Sequence, residues 1–153
     1  MSVREFAERY KQLGYPHNPA LMRQVFLTDV STSVLVWAEG EFLVEHYLMH
    51  PLIEVVPHSH PFESVTVHIA GKLLGRREGV IGQWLTDEHS GHISRTIAPG
   101  AWHAFLTGDT GAVMYVVSRW DDPQERDSAT RKYIGEPLGP RHQATLDELA
   151  ASK

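Results

Sequence analysis

Hydrophobic and polar positions near the N-terminus follow a helical period. Phe6 and Tyr10 are four positions apart, and Ser2 followed by Glu5 has the spacing of a capping box. Glycine and proline residues after residue 13 break this pattern. The pattern therefore predicts a short helix within an N-terminal segment, residues 1–20.

Between residues 24 and 120 the pattern changes to short β-branched and aromatic runs that are separated by Gly, Pro and Asp. The runs are QVFLTDV, SVLVWAE, EFLVEHYLM, LIEVVPH, ESVTVHIA, KLLGRR, HISRTIA, WHAFLT and AVMYVVSRW. Several short strands with this punctuation indicate an all-β sandwich or barrel and not a βαβ fold. We therefore expect residues 24–120 to form a β-barrel.

The last part of the chain, residues 121–153, begins with a polar stretch rich in Pro and Gly. This stretch predicts an arm at the surface of the barrel. Thr145 and Glu148 repeat the capping-box spacing and predict a short C-terminal helix, roughly Leu146 to Ala151. The 153 residues are the size of one domain, residues 1–153.

The composition of the chain limits the kinds of partner that we expect it to bind. The net charge of -5 includes no basic block, so the sequence gives no sign of binding to nucleic acid or to an anionic membrane. No apolar run approaches the ~20 residues of a membrane span, and the charged N-terminus does not resemble a secretory signal. We therefore expect a cytoplasmic protein that binds a small molecule. Because the chain has 0 Cys, any metal ligands must be His, carboxylates or water.

Two histidines alternate at the start of the stretch HSHPFESVTVHIAG, residues 58–71. On a strand, His58 and His60 point to the same side, close enough to hold one ion. Alternating histidines are also common without any metal. A third ligand from elsewhere in the chain is needed to distinguish a metal site from an ordinary strand.

The best candidate for that ligand lies in the stretch APGAWHAF. Pro99 and Gly100 predict a tight turn into a strand, and His103 follows three residues after the glycine. A histidine just past such a turn can project into a barrel. The sequence therefore predicts a metal site of His58, His60 and His103.

These two stretches resemble the motifs of the cupin superfamily, in its RmlC-like form. The first motif, two alternate histidines with a following Glu and a closing Gly, is matched by His58, His60, Glu63 and Gly71; the second, Pro and Gly before a His, is matched by Pro99, Gly100 and His103. The resemblance implies a jelly-roll barrel that holds one divalent metal ion on the three histidines, and often on a glutamate. It also implies a homodimer.

The role of Glu63 depends on which face of its strand looks inward. Glu63 stands one position earlier than the family's glutamate, whose place Ser64 holds. Glu63 shares its parity with Val65, and a valine face that looked inward would direct Glu63 toward the metal. If the other face lines the pocket, the site has three histidines with Ser64, Thr66 and His68 nearby.

Three functions fit such a site. The first is a mononuclear non-haem dioxygenase, with Fe(II) favoured and Mn, Ni, Zn or Cu as alternatives. The second is a metal-dependent isomerase or lyase in which Glu63 or His68 moves a proton. The third is a cupin that binds a small ligand without turnover. Tyr115 is a further catalytic candidate, because its hydroxyl could contact a ligand in the barrel.

Overall fold

A computed structural model describes residues 1–77, 80–85 and 91–131, together with residues 147 and 151. Two helices and seven strands cover most of these residues: α1 (Val3–Gln12), β1 (Val25–Leu27), β2 (Ser31–Glu39), β3 (Phe42–Met49), β4 (Glu54–His58), β5 (Glu63–Arg77), β6 (Val80–Leu85), β7 (His103–Arg119) and α2 (Pro123–Arg131). A short 3-10 turn, Leu21–Arg23, precedes β1. Neither helix combines the length and the apolar composition that a membrane span requires.

Helix α1 begins at the predicted capping box. The Ser2 hydroxyl accepts a hydrogen bond from the Glu5 backbone N–H at 3.1 Å, and the Glu5 carboxylate accepts one from the Ser2 N–H at 2.6 Å. These reciprocal bonds satisfy backbone donors that the first turn leaves unpaired. The predicted N-terminal helix is therefore confirmed, and its apolar side chains are buried against the sheet.

The strands form one antiparallel sheet that folds into two layers. Strands β5 and β7 pair with each other along most of their length, but the strands that flank this pair differ between its two ends. Residues 112–119 of β7 pair with β3, whereas residues 103–106 pair with β4. We call β1, β2, β3 and the adjoining parts of β5 and β7 layer A, and β4, β6 and the remaining parts layer B. The space between the layers is the lumen.

Two glycines stand where β5 and β7 pass from one layer to the other. Gly71 and Gly111 have φ values of 80° and 72°, in the left-handed region. A Cβ atom on Gly71 would collide with the backbone carbonyl of Gly111, and one on Gly111 would collide with that of Met49. This close approach lets two adjacent strands bend together, so Gly71 forms a corner within β5 and does not end the strand.

Replacing Gly111 by alanine should lower the free energy of unfolding by about 1–3 kcal/mol. The alanine would keep a strained positive φ, and its Cβ atom would collide with the Met49 carbonyl oxygen. Gly14→Ala is the matched control, since its φ is 77° but its added Cβ would meet nothing within 4 Å. Urea unfolding of both variants measures the difference. Equal losses in the two variants would contradict a packing role for the corner at Gly111.

Apolar side chains form separate cores on the two faces of layer A. On the outer face, Val65 and Val67 pack with α1. On the lumen face, a smaller core joins the two layers: Met49, Leu73, Ala112 and Met114, with Tyr47, Val55, Phe105 and Val116 packed against it. The strand faces are therefore assigned, since side chains on the Val65 face contact the helix and those on the opposite face line the lumen.

Several sequence-predicted elements differ from the observed ones. The runs ESVTVHIA and KLLGRR form one strand, as do WHAFLT and AVMYVVSRW, because the corner glycines bend the strands without ending them. The run HISRTIA contributes only two isolated bridges, and β6 was not predicted. Part of the predicted arm forms α2, where the Arg126 guanidinium donates hydrogen bonds to the carbonyls of Gly40 and Phe42. The predicted helix from Leu146 to Ala151 lies outside the continuously described residues.

Candidate metal centre

Three histidines from two segments meet at one end of layer B. His58 ends β4 and His103 begins β7, and the two residues are directly paired across the antiparallel ladder. His60 follows two residues after His58, and its carbonyl accepts a hydrogen bond of 2.7 Å from the Gly100 N–H. This bond ties the predicted Pro-Gly turn to the first histidine segment. The two predicted motifs are therefore held together by backbone hydrogen bonds.

The three imidazole rings converge. Each ring offers one nitrogen atom, and these three atoms all lie within 4.8 Å of one another. The ring centroids are 4.2 Å apart for His58 and His103, and 4.8–4.9 Å for the two pairs that include His60. Among the described residues, this is the group of His, Asp and Glu side chains whose spacing suits a metal ion. The predicted three-histidine cluster is present.

Backbone carbonyls orient two of the rings. The Nδ1 atom of His58 lies 2.8 Å from the Val56 carbonyl oxygen, and that of His103 lies 3.0 Å from the Ala101 carbonyl oxygen. A carbonyl can only accept, so in each ring Nδ1 carries the hydrogen and Nε2 has a free lone pair. A metal-binding histidine commonly has this arrangement. The donor set therefore fits a divalent ion bound through imidazole nitrogen.

The local environment favours the neutral form of the His60 and His103 rings. Burial, and then the neighbouring rings of His58 and His103, lower the pKa of His60 to about 4. Burial also lowers the pKa of His103, the hydrogen bond to Ala101 opposes this effect, and His58 reinforces it. Only a neutral imidazole binds a metal, so both rings are in the binding form at neutral pH.

Aromatic rings border the histidines on two sides. The His60 ring stacks on Phe62 at 4.7 Å, and Phe62 contacts Trp120 at 4.5 Å. On the other side, the His103 ring meets Phe105 edge-on at 5.6 Å. Phe105 in turn packs against the apolar core that joins the layers. The histidines are therefore continuous with the walls of the lumen.

Glu63 lies away from the three histidines. Its carboxylate is 3.6 Å from the Arg119 guanidinium and accepts a 3.4 Å hydrogen bond from the Val3 N–H at the start of α1. Glu63 and Arg119 are paired across β5 and β7 on the outer face of layer A. The structure therefore does not place Glu63 with the metal-binding cluster, because its parity directs it toward the helix.

The opposite face of β5 lines the lumen. Ser64, Thr66 and His68 are buried on this face. The residues of β7 that are paired with them also face the lumen. The His68 Nε2 atom donates to the Gly71 carbonyl oxygen at 3.1 Å, so Nδ1 has the lone pair. Within the described residues this Nδ1 has no hydrogen-bond partner. This arrangement is the second of the two alternatives, a three-histidine site with a polar β5 face.

Tyr115 lies on the outer face of layer A and not in the lumen. Its ring stacks on Tyr15 at 5.0 Å and meets the rings of Tyr10 and His46 edge-on. The predicted contact of Tyr115 with a ligand in the barrel is therefore not observed. Its position follows from strand parity, since Tyr115 alternates with the lumen-facing Met114 and Val116.

Sequence reasoning missed a carboxylate on the lumen face. Glu45 lies on β3 and accepts a hydrogen bond of 2.9 Å from the Tyr47 hydroxyl. Burial raises the pKa of the Glu45 carboxyl to about 7, and the bond from Tyr47 opposes this rise. The available signal was a single acidic residue in the middle of the apolar run EFLVEHYLM.

Comparison with solved structures identifies the architecture. Three similar structures are KdgF from Halomonas sp., an RmlC-like cupin from Shewanella frigidimarina and the DMSP lyase DddQ from Ruegeria pomeroyi, with TM-scores of 0.55, 0.55 and 0.54 and identities of 10%, 16% and 21%. The similarity covers 65%, 66% and 62% of this chain, and 86%, 86% and 49% of the respective structures.

These likenesses confirm the predicted jelly-roll architecture. At such low identities they establish the fold and leave the chemistry to the site itself. Neither a protein-family profile nor a curated protein sequence matches the chain.

Proposed function

The protein has the cupin fold, and from that premise we propose that it is an enzyme in which His58, His60 and His103 bind one divalent metal ion beside a small-molecule substrate. The observation that carries this proposal is the convergence of three imidazole nitrogens within 4.8 Å. Nitrogen ligands suit Fe(II), Mn(II), Ni(II), Cu(II) and Zn(II), and we expect Fe(II).

The three histidines leave room for a substrate. A divalent ion with three protein ligands has further coordination positions, where it would polarise a bound substrate or, as Fe(II), react with O2. The chain itself contributes three converging imidazoles, two of them oriented by backbone carbonyls, and aromatic walls. Phe62 and Phe105 pack beside the His60 and His103 rings and form these walls.

A dioxygenase is the first candidate. The described cluster consists of three nitrogen ligands and no carboxylate, as in the thiol and diketone dioxygenases that the cupin resemblance implies. The expected substrate is a small molecule that can coordinate a metal through oxygen or sulfur. This candidate requires that the metal-loaded protein consume O2.

An isomerase or lyase is the second candidate, and Glu45 is the observation in its favour. A carboxyl group with a pKa of about 7, partnered by a tyrosine hydroxyl, is suited to exchanging protons with a substrate. One of the structural neighbours is a DMSP lyase, so a fold of this kind is compatible with lyase chemistry.

Oxygen uptake distinguishes the candidates. Protein loaded anaerobically with Fe(II) is mixed with thiols, diketones and aromatic diols, and O2 consumption is recorded beside His103→Ala. Uptake in the wild type alone would select the dioxygenase. Substrate conversion without O2 uptake would select the isomerase or lyase, and binding without conversion would reduce the role to ligand binding.

The homodimer and the cytoplasmic location stay predictions. Light scattering on the eluting protein measures the dimer directly, with an expected mass of twice 17.2 kDa. A single-chain mass across micromolar concentrations would contradict it.

A further inference from the structure

Glu45 occupies the centre of the lumen face of layer A. Strand β3 lies between β2 and β7, and Glu45 is in register with Leu35 on one side and Val116 on the other. Tyr47 occupies the next lumen-facing position and packs against the core that joins the layers. The carboxylate therefore faces layer B, the layer that holds the histidines.

This carboxylate is unusual because no cation accompanies it. Within the described residues, Glu45 has no ion pair, and its hydrogen-bond partner is the Tyr47 hydroxyl, which donates to Oε2. Partial burial of a carboxylate without a cation disfavours its charged form, and such groups are frequent at functional sites. Oε1 remains available for a ligand.

The Glu45 side chain is only partly buried. Glu45, Tyr47 and Val116 are only partly buried although their strands are in the middle of a sheet. Ser64 and Ser118, on the same face, are buried. The Glu45 side chain is therefore less enclosed than its neighbours on this face.

Two series of aromatic contacts connect the histidines with the surroundings of Glu45. In the first series, the His103 ring contacts Phe105, and Phe105 packs against the same apolar core as Tyr47. In the second series, the His60 ring contacts Phe62, Phe62 contacts Trp120, and Trp120 packs against Leu43. Leu43 and Tyr47 are the lumen-facing neighbours of Glu45 along β3. Side-chain contacts along the lumen therefore join the histidines to the surroundings of Glu45.

We propose that Glu45, held by Tyr47, accepts a proton from the acidic hydroxyl of a small chelating molecule bound at the three histidines. The inference rests on the proposed metal site and names its substrate class: a catechol, enediol or α-hydroxy carbonyl compound. The substrate O–H bond breaks, the proton forms an O–H bond on Glu45 Oε1, and the electron pair stays on the substrate oxygen. Nothing is oxidised or reduced.

In the described part of the chain, few other titratable groups face the lumen. They are Tyr47 on β3, His68 on β5, and the three histidines of the metal site. His68 has an unpartnered Nδ1 and is the alternative proton acceptor. A test must therefore compare Glu45 with His68.

The experiment counts protons during binding. Wild type, Glu45→Gln and His68→Gln are loaded with Zn(II), which does not react with O2, and their metal content is measured first. Each protein is then titrated with catechol by calorimetry at pH 8, in buffers of different ionisation enthalpy. The dependence of the heat on the buffer gives the number of protons released.

At pH 8 a carboxyl with a pKa of about 7 is mostly ionised and able to accept a proton. Wild type and His68→Gln should therefore each release roughly one proton fewer per bound catechol than Glu45→Gln. At pH 6 Glu45 is already mostly protonated, so this difference should become small. Tyr47→Phe removes a bond that lowers the Glu45 pKa, so its proton uptake at pH 8 should fall below that of wild type.

Equal proton release by wild type and Glu45→Gln would overturn the inference, as would a loss of proton uptake in His68→Gln alone. Failure of the zinc-loaded wild type to bind catechol would overturn the substrate class. A wild type that retains no zinc would instead contradict the proposed metal site, and the metal analysis identifies that failure before any titration. If Glu45→Gln does not fold, Tyr47→Phe tests the same prediction.

Discussion

Replacing His103 by alanine should abolish near-stoichiometric metal binding, and replacing His58 should have the same effect. Each ring presents an Nε2 lone pair toward the others, because a backbone carbonyl holds its Nδ1 hydrogen. Losing only a hydrogen-bond partner of a metal ligand commonly weakens metal affinity by about 10–100-fold, so losing the ligand itself should cost more than ~100-fold. Elemental analysis of purified, metal-loaded protein measures the loss.

Thermal unfolding provides a second measurement of the same site. Metal at about 100 times its Kd should stabilise the folded wild type by ~2.7 kcal/mol, which corresponds to a Tm increase of roughly 5–10 °C. His103→Ala should show no such increase.

His50→Ala is the matched control for both measurements. The His50 Nδ1 atom lies 2.9 Å from the Asp29 carbonyl oxygen, and the residue is outside the three-histidine cluster. This variant should keep its metal and its metal-dependent stabilisation. A wild type without metal, or a His103→Ala protein that binds as much metal as wild type, would contradict the site.

Replacing Phe6 by alanine should destabilise the protein by about 3–5 kcal/mol, the usual cost of deleting a buried aromatic side chain. Phe6 is 3% exposed and stacks on Phe42 of β3, with ring centroids 4.3 Å apart. The loss is a large part of the 5–15 kcal/mol that commonly stabilises a domain. It corresponds to a fall in Tm of roughly 6–20 °C. Calorimetry or circular dichroism measures it.

Leu13→Ala is the control for Phe6→Ala, because Leu13 is the C-cap residue directly after the same helix and is 62% exposed. Its effect should stay within about 0.5 kcal/mol. A Phe6→Ala protein as stable as Leu13→Ala would show that α1 does not cover the outer face of layer A. That result would also remove the reason for assigning the valine face of β5 to the helix.

The sequence predicted the metal cluster because its members lie in local patterns. His58 and His60 alternate in an extended segment, and His103 follows a Pro-Gly turn, so each local conformation depends on nearby residues. The capping box of α1 is local in the same way. The run EFLVEHYLM predicted a strand equally well, but it could not show that Glu45 would lie on the lumen face of that strand.

The sequence by itself determined the helix, most of the strands and the histidine ligand candidates, since strand alternation, turns and caps act over a few residues. Only the tertiary structure decided which face of β5 lines the lumen, because both faces are buried: Ser64 is 4% exposed and Val65 0%. The alternation of side chains divides a strand into two faces, but it does not show which face lines the lumen. Packing of α1 on the valine face makes that choice, and with it directs Glu63 toward Arg119 and leaves the carboxylate of Glu45 in the lumen.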